Sequence, residues 1–247
     1  MKTLFDINGL VFWNEKEIKM RKRIEEMILD CVKEVLLIEN KAWVFHQIEA
    51  PLLLPQNLMN QNYTEQDVWF QTDETHQLVL RPETTPSSYK YAEWLLDSNQ
   101  VLPPFVVWQT GKSFRREQDQ VAKNMRLKEF YQQEFQCIYA KDTLNEYQDK
   151  VLEPLADAIE KILALPTRIV ESDRLPSYSL KTMDIEVEVD NSQRWMEVCS
   201  ISKRTDFTMV KKFGSKEKEF FVLEIAMGLD RLVYSYFQRT ENMVVKW

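Results

Sequence analysis

Glycine is scarce in this chain of 247 residues, which holds only four, and none falls in a G-x-G-x-x-G or G-x-x-x-x-G-K-S/T run. A glycine-rich loop cradling phosphates is therefore excluded as the way this protein would hold a nucleotide. Cysteine and histidine are equally sparse, with three and two residues. Cys31, Cys137 and Cys199 lie far apart with no C-x-x-C pair, and only His46 and His76 accompany them. A structural zinc site needs four convergent ligands, so none is expected. No run of about 18 apolar residues exists to span a bilayer, and the first residues, Met1 to Asp6, lack the apolar centre of a signal peptide. These absences lead to the expectation of a reducing, cytoplasmic location with no membrane contact. Positive charge is also in deficit: the net charge of -7 means the overall field repels phosphate, so any nucleic acid has to be met by a local basic patch.

What is present suits a globular protein. Hydrophobic residues make up 44% and charged residues 29%, enough for a substantial core and too apolar for a disordered tail. Glu15 to Glu39 carries Ile18, Ile24, Met27, Ile28, Cys31, Val32, Val35 and Leu36 at helical spacing with Lys and Glu between them, which predicts one long amphipathic helix. Its stripe belongs either to this chain's own core or in part to a partner subunit. Trp43 to Ile48 reads as a strand ending near Pro51, where proline stops ladder pairing. Val68 to Phe70 and Gln77 to Leu80 read as a hairpin, and Ser87 to Leu96 as a helix with the serine as its cap. Thr143 to Leu163 predicts a second amphipathic helix. Asp184 to Asp190, Trp195 to Ile201 and Phe220 to Ala226 read as strands, with a helix over Met227 to Gln238 directly after the last. No repeat or long linker interrupts the chain, so the expectation is one α+β domain built on a largely antiparallel β-sheet flanked by helices.

The chemistry is concentrated in Phe114-Arg115-Arg116-Glu117, followed by a polar loop and then Arg126-Leu127-Lys128-Glu129-Phe130. The flanking segments Val106 to Trp108 and Phe135 to Tyr139 have strand composition. Arginines, a carboxylate and an aromatic ring thus sit at a hairpin mouth, a set able to grip a nucleotide triphosphate. Taken alone, Arg-Arg-Glu on a strand is more often a solvated face, and Phe130 more often core.

In context these residues resemble a family. Trp108 to Glu117 is similar to the strand that opens motif 2 of class II aminoacyl-tRNA synthetases, and Gly228-Leu229-Asp230-Arg231 to their motif 3. Met20 to Pro51 resembles motif 1, a long helix and proline-ended strand used mainly in a dimer interface. The resemblance spans motif 1 at about 20–51, motif 2 at about 105–139 and motif 3 at about 220–238. Within subclass IIa the glycyl-tRNA synthetases are most similar, since Leu80-Arg81-Pro82-Glu83-Thr84-Thr85 resembles their L-R-P-E-T-A segment. Glu197 to Asp206 likewise resembles their E-x-x-G-I-A-x-R-(S/T)-D segment. Threonyl enzymes place a zinc-binding cysteine where Thr85 stands here.

The resemblance implies ATP-dependent activation of an amino acid through an aminoacyl-adenylate, followed by transfer to tRNA. It implies that Arg115 holds the α-phosphate and the substrate carboxylate, and that Arg126 meets the γ-phosphate. Phe130 and Arg231 would cover the two faces of adenine, and Glu117 would accept from its amino group. Glu197 and Glu224 would lie near the phosphates and the Mg²⁺ that ATP brings. Glu83, Glu134 and Arg204 would line the amino-acid pocket, with Glu224 shared. Orientation and charge stabilisation can carry such a step without a protein nucleophile.

Departures from the glycyl pattern accompany the match. Ile225 and Ala226 follow Glu224 where the family has proline and serine, Ser200 replaces a glycine, and Thr85-Pro86 replaces Ala-Gln. Trp247 follows Arg231 closely, so a catalytic core without an anticodon-binding domain is expected. The alternatives are a stand-alone paralogue loading a carrier protein or peptide, and a non-catalytic nucleic-acid-binding or accessory subunit.

Overall fold

The computed structural model describes residues 5–37, 43–61, 63–64, 66–72, 77–98, 101–116, 125–140, 147–173, 177–190, 194–213 and 216–244. Its elements in chain order are β1 (Phe5–Ile7), β2 (Leu10–Phe12), α1 (Glu15–Leu37), β3 (Val44–Gln47), β4 (Leu53–Pro55), β5 (Phe70–Thr72), β6 (Gln77–Leu80), α2 (Thr85–Asp97), β7 (Phe105–Phe114) and β8 (Glu129–Ala140). Then follow α3 (Tyr147–Leu163), β9 (Thr167–Glu171), β10 (Ser179–Asp190), β11 (Arg194–Phe213), β12 (Lys216–Gly228) and α4 (Leu229–Val244).

Seven strands form the main sheet in the order β3-β7-β8-β12-β11-β10-β9. Every pairing is antiparallel except β3 with β7. The expected α+β architecture is therefore the observed one. Side chains alternate between the faces of a strand, and the two faces here differ sharply. Phe135, Cys137, Ile185, Ile201, Leu223, Ile225 and Met227 point to one side and form the main core with Ile24, Ile28, Val32 and Leu36 of α1 and with α3 and α4. Those four α1 residues recur every fourth position, the stripe of a helix buried along one edge.

The opposite face carries Glu134, Gln136, Ser202 and Glu224, all buried. Here α2 packs its Tyr89, Ala92, Leu95 and Leu96 on Phe105, Val107, Ile138 and Val222. The face is thus apolar beneath α2 and polar beside the helix N-terminus. Arg81 ties this region together: its guanidinium donates to the carbonyls of Ala50, Pro51 and Lys112 and to Gln109 Oε1 at 2.9–3.2 Å.

Several expected elements differ in extent. The strands of the central hairpin, β7 and β8, run to Phe114 and from Glu129, well beyond the apolar segments that announced them. β5 and β6 pair as expected, yet they join β4 in a separate three-stranded sheet. Helix α2 starts at Thr85, not Ser87, with Pro86 in its first turn. No side chain caps it, because the hydroxyls of Thr84 and Thr85 are turned to buried carboxylates instead. Strand β9 and the β1–β2 hairpin were not anticipated. The start of the second predicted helix, at Thr143, lies outside the described residues, as does the turn expected at 72–75 beyond Thr72. No helix among the described residues is long and apolar enough to cross a membrane.

Candidate active site

A cavity of about 280 Å³ opens on the polar face of the sheet. It is built from the start of β8, parts of β10 and β11, the second half of β12, the start of α4 and the loops that carry Tyr63, Glu83, Arg115 with Arg126, and Tyr178. At one end lie Arg126, Phe130, Glu197 and Arg231, at the other Glu83, Glu134 and Glu224, with Arg115 between them. Nine of the ten sequence-derived site residues, all but Glu117, fall among the described residues, and eight of these nine line this one cavity. The ninth, Arg204, is held directly behind it by Glu224. Glu117 lies outside the described residues.

Arg115 follows β7, where its N–H donates to the Lys128 carbonyl and so closes the neck of the hairpin. Its Nε donates to the Pro82 carbonyl at 3.1 Å. The guanidinium carbon stands 5.2 Å from the Phe130 ring centre and 5.5 Å from that of Tyr63. Across the cavity, Arg231 Nη1 donates to the Glu197 carbonyl at 2.9 Å and lies 3.5 Å from the Glu197 carboxylate. Phe130 on β8 and Arg231 on α4 therefore present a ring and a guanidinium to a common space. Gly228 ends β12, where a side chain at that position would touch Arg231 and the Val198 carbonyl at 3.5–3.8 Å.

The other end is acidic, with Glu83, Glu134 and Glu224 buried and Asp206 at its exposed margin. Arg204 is 2% exposed and sits between carboxylates. It donates to both oxygens of Glu224 at 3.0 and 3.2 Å and to both of Asp206 at 2.6 and 3.0 Å. Its guanidinium also lies 3.7 Å from the Tyr178 ring centre. Burial opposes its charge, but Glu224, Tyr89 and Glu83 more than offset that and hold its pKa above the ordinary value. Gln136 Nε2 donates to Glu224 at 2.9 Å, and the Thr85 hydroxyl lies 2.7 Å from the same carboxylate. Glu134 accepts from the Thr84 hydroxyl and lies 3.1 Å from that of Thr85.

Glu83 is less well served. Its Oε1 is buried without a hydrogen-bond partner, and Arg204 Nη2 is 3.9 Å away. Burial pushes its pKa up to about 8, with Arg204 opposing and Glu224 and Glu134 adding to the rise. Glu134 is raised as well, by burial first and by Glu224 second. Four carboxylates, those of Glu83, Glu134, Glu224 and Asp206, thus share this region with the guanidiniums of Arg204 and Arg115. Carboxyls that burial keeps from ionising give up a proton to receive a cation that brings its own donors.

A family model described as the tRNA synthetase class II core domain (G, H, P, S and T) matches residues 68–239. The chain belongs to this class II synthetase family. A glycine–tRNA ligase of Mycoplasma genitalium is 24% identical over 247 residues, covering 89% of this chain and 52% of the relative. One from Caldanaerobacter subterraneus is 26% identical, covering 90% and 54%. The chain therefore spans about half the length of these relatives. Among solved structures, Giardia lamblia prolyl-tRNA synthetase in complex with prolyl-adenylate superposes with a TM-score of 0.69 at 17% identity, over 94% of this chain and 48% of that one. Cryptosporidium parvum prolyl-tRNA synthetase, complexed with halofuginone and AMPPNP, gives 0.72 at 16% identity, over 96% and 49%. These likenesses carry the fold of the class II synthetase core.

The geometry revises one sequence expectation and adds to others. Glu224 was expected beside Mg²⁺, yet its oxygens are taken by Arg204, Gln136 and Thr85. Thr84, Thr85, Gln136 and Asp206 are part of the acidic end although none was singled out as a site residue. Alternation on the strands was the available signal for two of them: Gln136 shares a face with Glu134, and Asp206 with Arg204. Tyr63 and Tyr178 come from loops, where no periodicity marks them.

Proposed function

We propose that this chain activates an amino acid with ATP as an aminoacyl-adenylate and passes it to tRNA, glycine being the first candidate. The observation that carries this reading is the acidic end of the cavity. Buried carboxyls whose pKa values are raised lie next to a cluster of arginines and an aromatic ring, so one cavity suits an ammonium at one end and a nucleotide at the other. Glu83 and Glu134 receive the ammonium. Arg115 stands between the two ends, where it can hold both the substrate carboxylate and the α-phosphate, which otherwise repel each other. The carboxylate oxygen then attacks the α-phosphorus and pyrophosphate leaves with the bonding electrons. Phe130 and Arg231 sandwich the adenine, and Arg126 faces the far phosphates.

Glycine is favoured by what surrounds the glutamates: hydroxyls, an amide, an arginine and tyrosine rings. Such a lining gives an apolar side chain little to bury against. The glycine–tRNA ligase relatives support the same choice. Mg²⁺ would arrive with ATP; Glu197 and Asp184 line the same cavity, and the buried Asp184 Oδ1 has no hydrogen-bond partner, an oxygen set that fits the ion. Bound there, it would neutralise phosphate charge. A homodimer is proposed through β1–β2, α1 and β3, because Leu10, Phe12, Ile18, Met27 and Val44 are exposed there and β3 is an edge strand of the sheet.

The test is amino-acid-dependent exchange of pyrophosphate into ATP over all twenty amino acids, with Arg115→Ala as control. Exchange with one amino acid, lost in the variant, is expected. A wild-type chain active with none of the twenty contradicts the reading.

A further inference from the structure

Thr85 opens α2 with its side chain 1% exposed, wedged between two carboxylates. Its oxygen is 2.7 Å from Glu224 Oε1 and 3.1 Å from Glu134 Oε2. A hydroxyl carries one proton and can donate to only one of them at a time. The shorter contact is to Glu224, and the remaining donors sort the same way. Glu224 also takes the charged guanidinium of Arg204 and the amide of Gln136. Glu134 is met by the neutral hydroxyl of Thr84. Gln136 Nε2 lies 3.3 Å from the Thr85 oxygen, which orients the threonine proton away from the amide and toward the carboxylates.

The two glutamates are two residues out of register on neighbouring strands and so share a face, since Glu134 of β8 is paired with Ala226 and Glu224 of β12 with Gln136. Glu224 stands on the strand next to that of Arg204, opposite Ser202, and Glu134 stands one strand further away, joined to Glu224 through Thr85. Thr85 is the group that touches both.

We propose that the Thr85 hydroxyl sorts these carboxylates, committing Glu224 to Arg204 and leaving Glu134, with Glu83, to receive the ammonium of the amino acid. The inference rests on the reading of this cavity as an amino-acid-activating site. Thr85 is a positioning residue: it acts through Glu224 and Glu134 and touches no reacting atom. Without its hydroxyl, Glu224 loses a donor and Glu134 loses the polar contact that holds it in place beside Glu224, which leaves one acceptor for the substrate amine out of position. ATP binding, at the other end of the cavity, is left alone. A hydrogen bond to a charged group is worth about 1.5–3 kcal/mol, a factor of roughly ten or more.

The experiment compares Thr85→Val, which keeps the shape and removes the hydroxyl, with Thr85→Ser, which keeps the hydroxyl. In pyrophosphate exchange, Thr85→Val raises KM for the amino acid about tenfold or more and leaves KM for ATP within about twofold. Thr85→Ser restores the wild-type KM. Glu134→Gln raises the amino-acid KM by itself, and adding Thr85→Val to it changes little further, because both act on one acceptor. If the valine variant fails to fold, Thr85→Ala carries the same expectation. An amino-acid KM unchanged in Thr85→Val, or unrescued in Thr85→Ser, overturns the inference while wild-type exchange keeps the activation reading intact. Absence of wild-type exchange overturns that reading and the inference together.

Discussion

Glu83 gives the site a pH signature that can be worked out from its surroundings. Its carboxyl is buried, its Oε1 lacks a hydrogen-bond partner, and its pKa rises from 4.5 to about 8. That rise disfavours the ionised form in the folded protein by on the order of 5 kcal/mol. The unfolded chain releases this proton near pH 4.5, whereas the folded chain keeps it until about pH 8. Folding stability from this group therefore falls as pH rises across that window and is constant above it. Ligand binding follows the opposite trend. An ammonium is best received by an ionised carboxylate, so below about pH 8 binding expels a proton, and affinity improves by up to about tenfold per pH unit toward pH 8. Glu134 is raised too, so the slope belongs to the pair. The assay is the amino-acid KM in pyrophosphate exchange at pH 6, 7 and 8, in wild type and in Glu83→Gln. A falling KM in wild type and a flatter one in the variant are expected. A wild-type KM constant over this range refutes the argument that a proton has to leave the acidic end.

Other perturbations reach different parts of the account. At Gly111 an added Cβ would lie 2.1 Å from Arg81 Nη2, and Arg81 is pinned by hydrogen bonds to β7 and to the chain after β3. Gly111→Ala should cost about 2 kcal/mol or more, read as a lower urea midpoint, and an unchanged midpoint would show that Arg81 is not held as described. Arg231→Ala removes one face of the adenine sandwich, so KM for ATP should rise with little change in that for the amino acid; equal effects on both would count against the assignment. Solution scattering at micromolar concentration should give the mass of a dimer, and a monomer would leave the apolar surface of β2, α1 and β3 without its proposed cover.

The architecture was legible where pattern and length agree. The α1 stripe was read within two residues of its observed limits, and the alternation in Asp184 to Asp190 correctly marked one face of β10 for the core. Strand extents were harder. β7, β8, β11 and β12 continue into polar sequence because the sheet itself is the floor of the cavity, so buried Glu134, Gln136, Ser202 and Glu224 interrupt the apolar signal that marks a strand. The start of α2 misled for a related reason. Ser87 read as the cap, but the helix opens at Thr85, where the hydroxyls of Thr84 and Thr85 are drawn to carboxylates from strands far along the chain, which local sequence does not reveal.

At the site, resemblance supplied the arginines, the glutamates and Phe130, and the fold brought nine of these residues together. It could not supply the partnerships. That Glu224 belongs to Arg204, or that Tyr178 lies against the same guanidinium, depends on contacts between β11, β12 and a loop.

The most direct measurement is isolation of the intermediate. The chain is incubated with ATP labelled at the α-phosphate, Mg²⁺ and glycine, passed rapidly over a sizing column, and the protein-bound nucleotide is identified by mass spectrometry. Bound aminoacyl-adenylate, formed by the wild-type chain and absent with Arg115→Ala, is the expected result. Label recovered only as unreacted ATP, with glycine and with each of the other amino acids, would contradict the claim that this cavity joins an amino acid to a nucleotide.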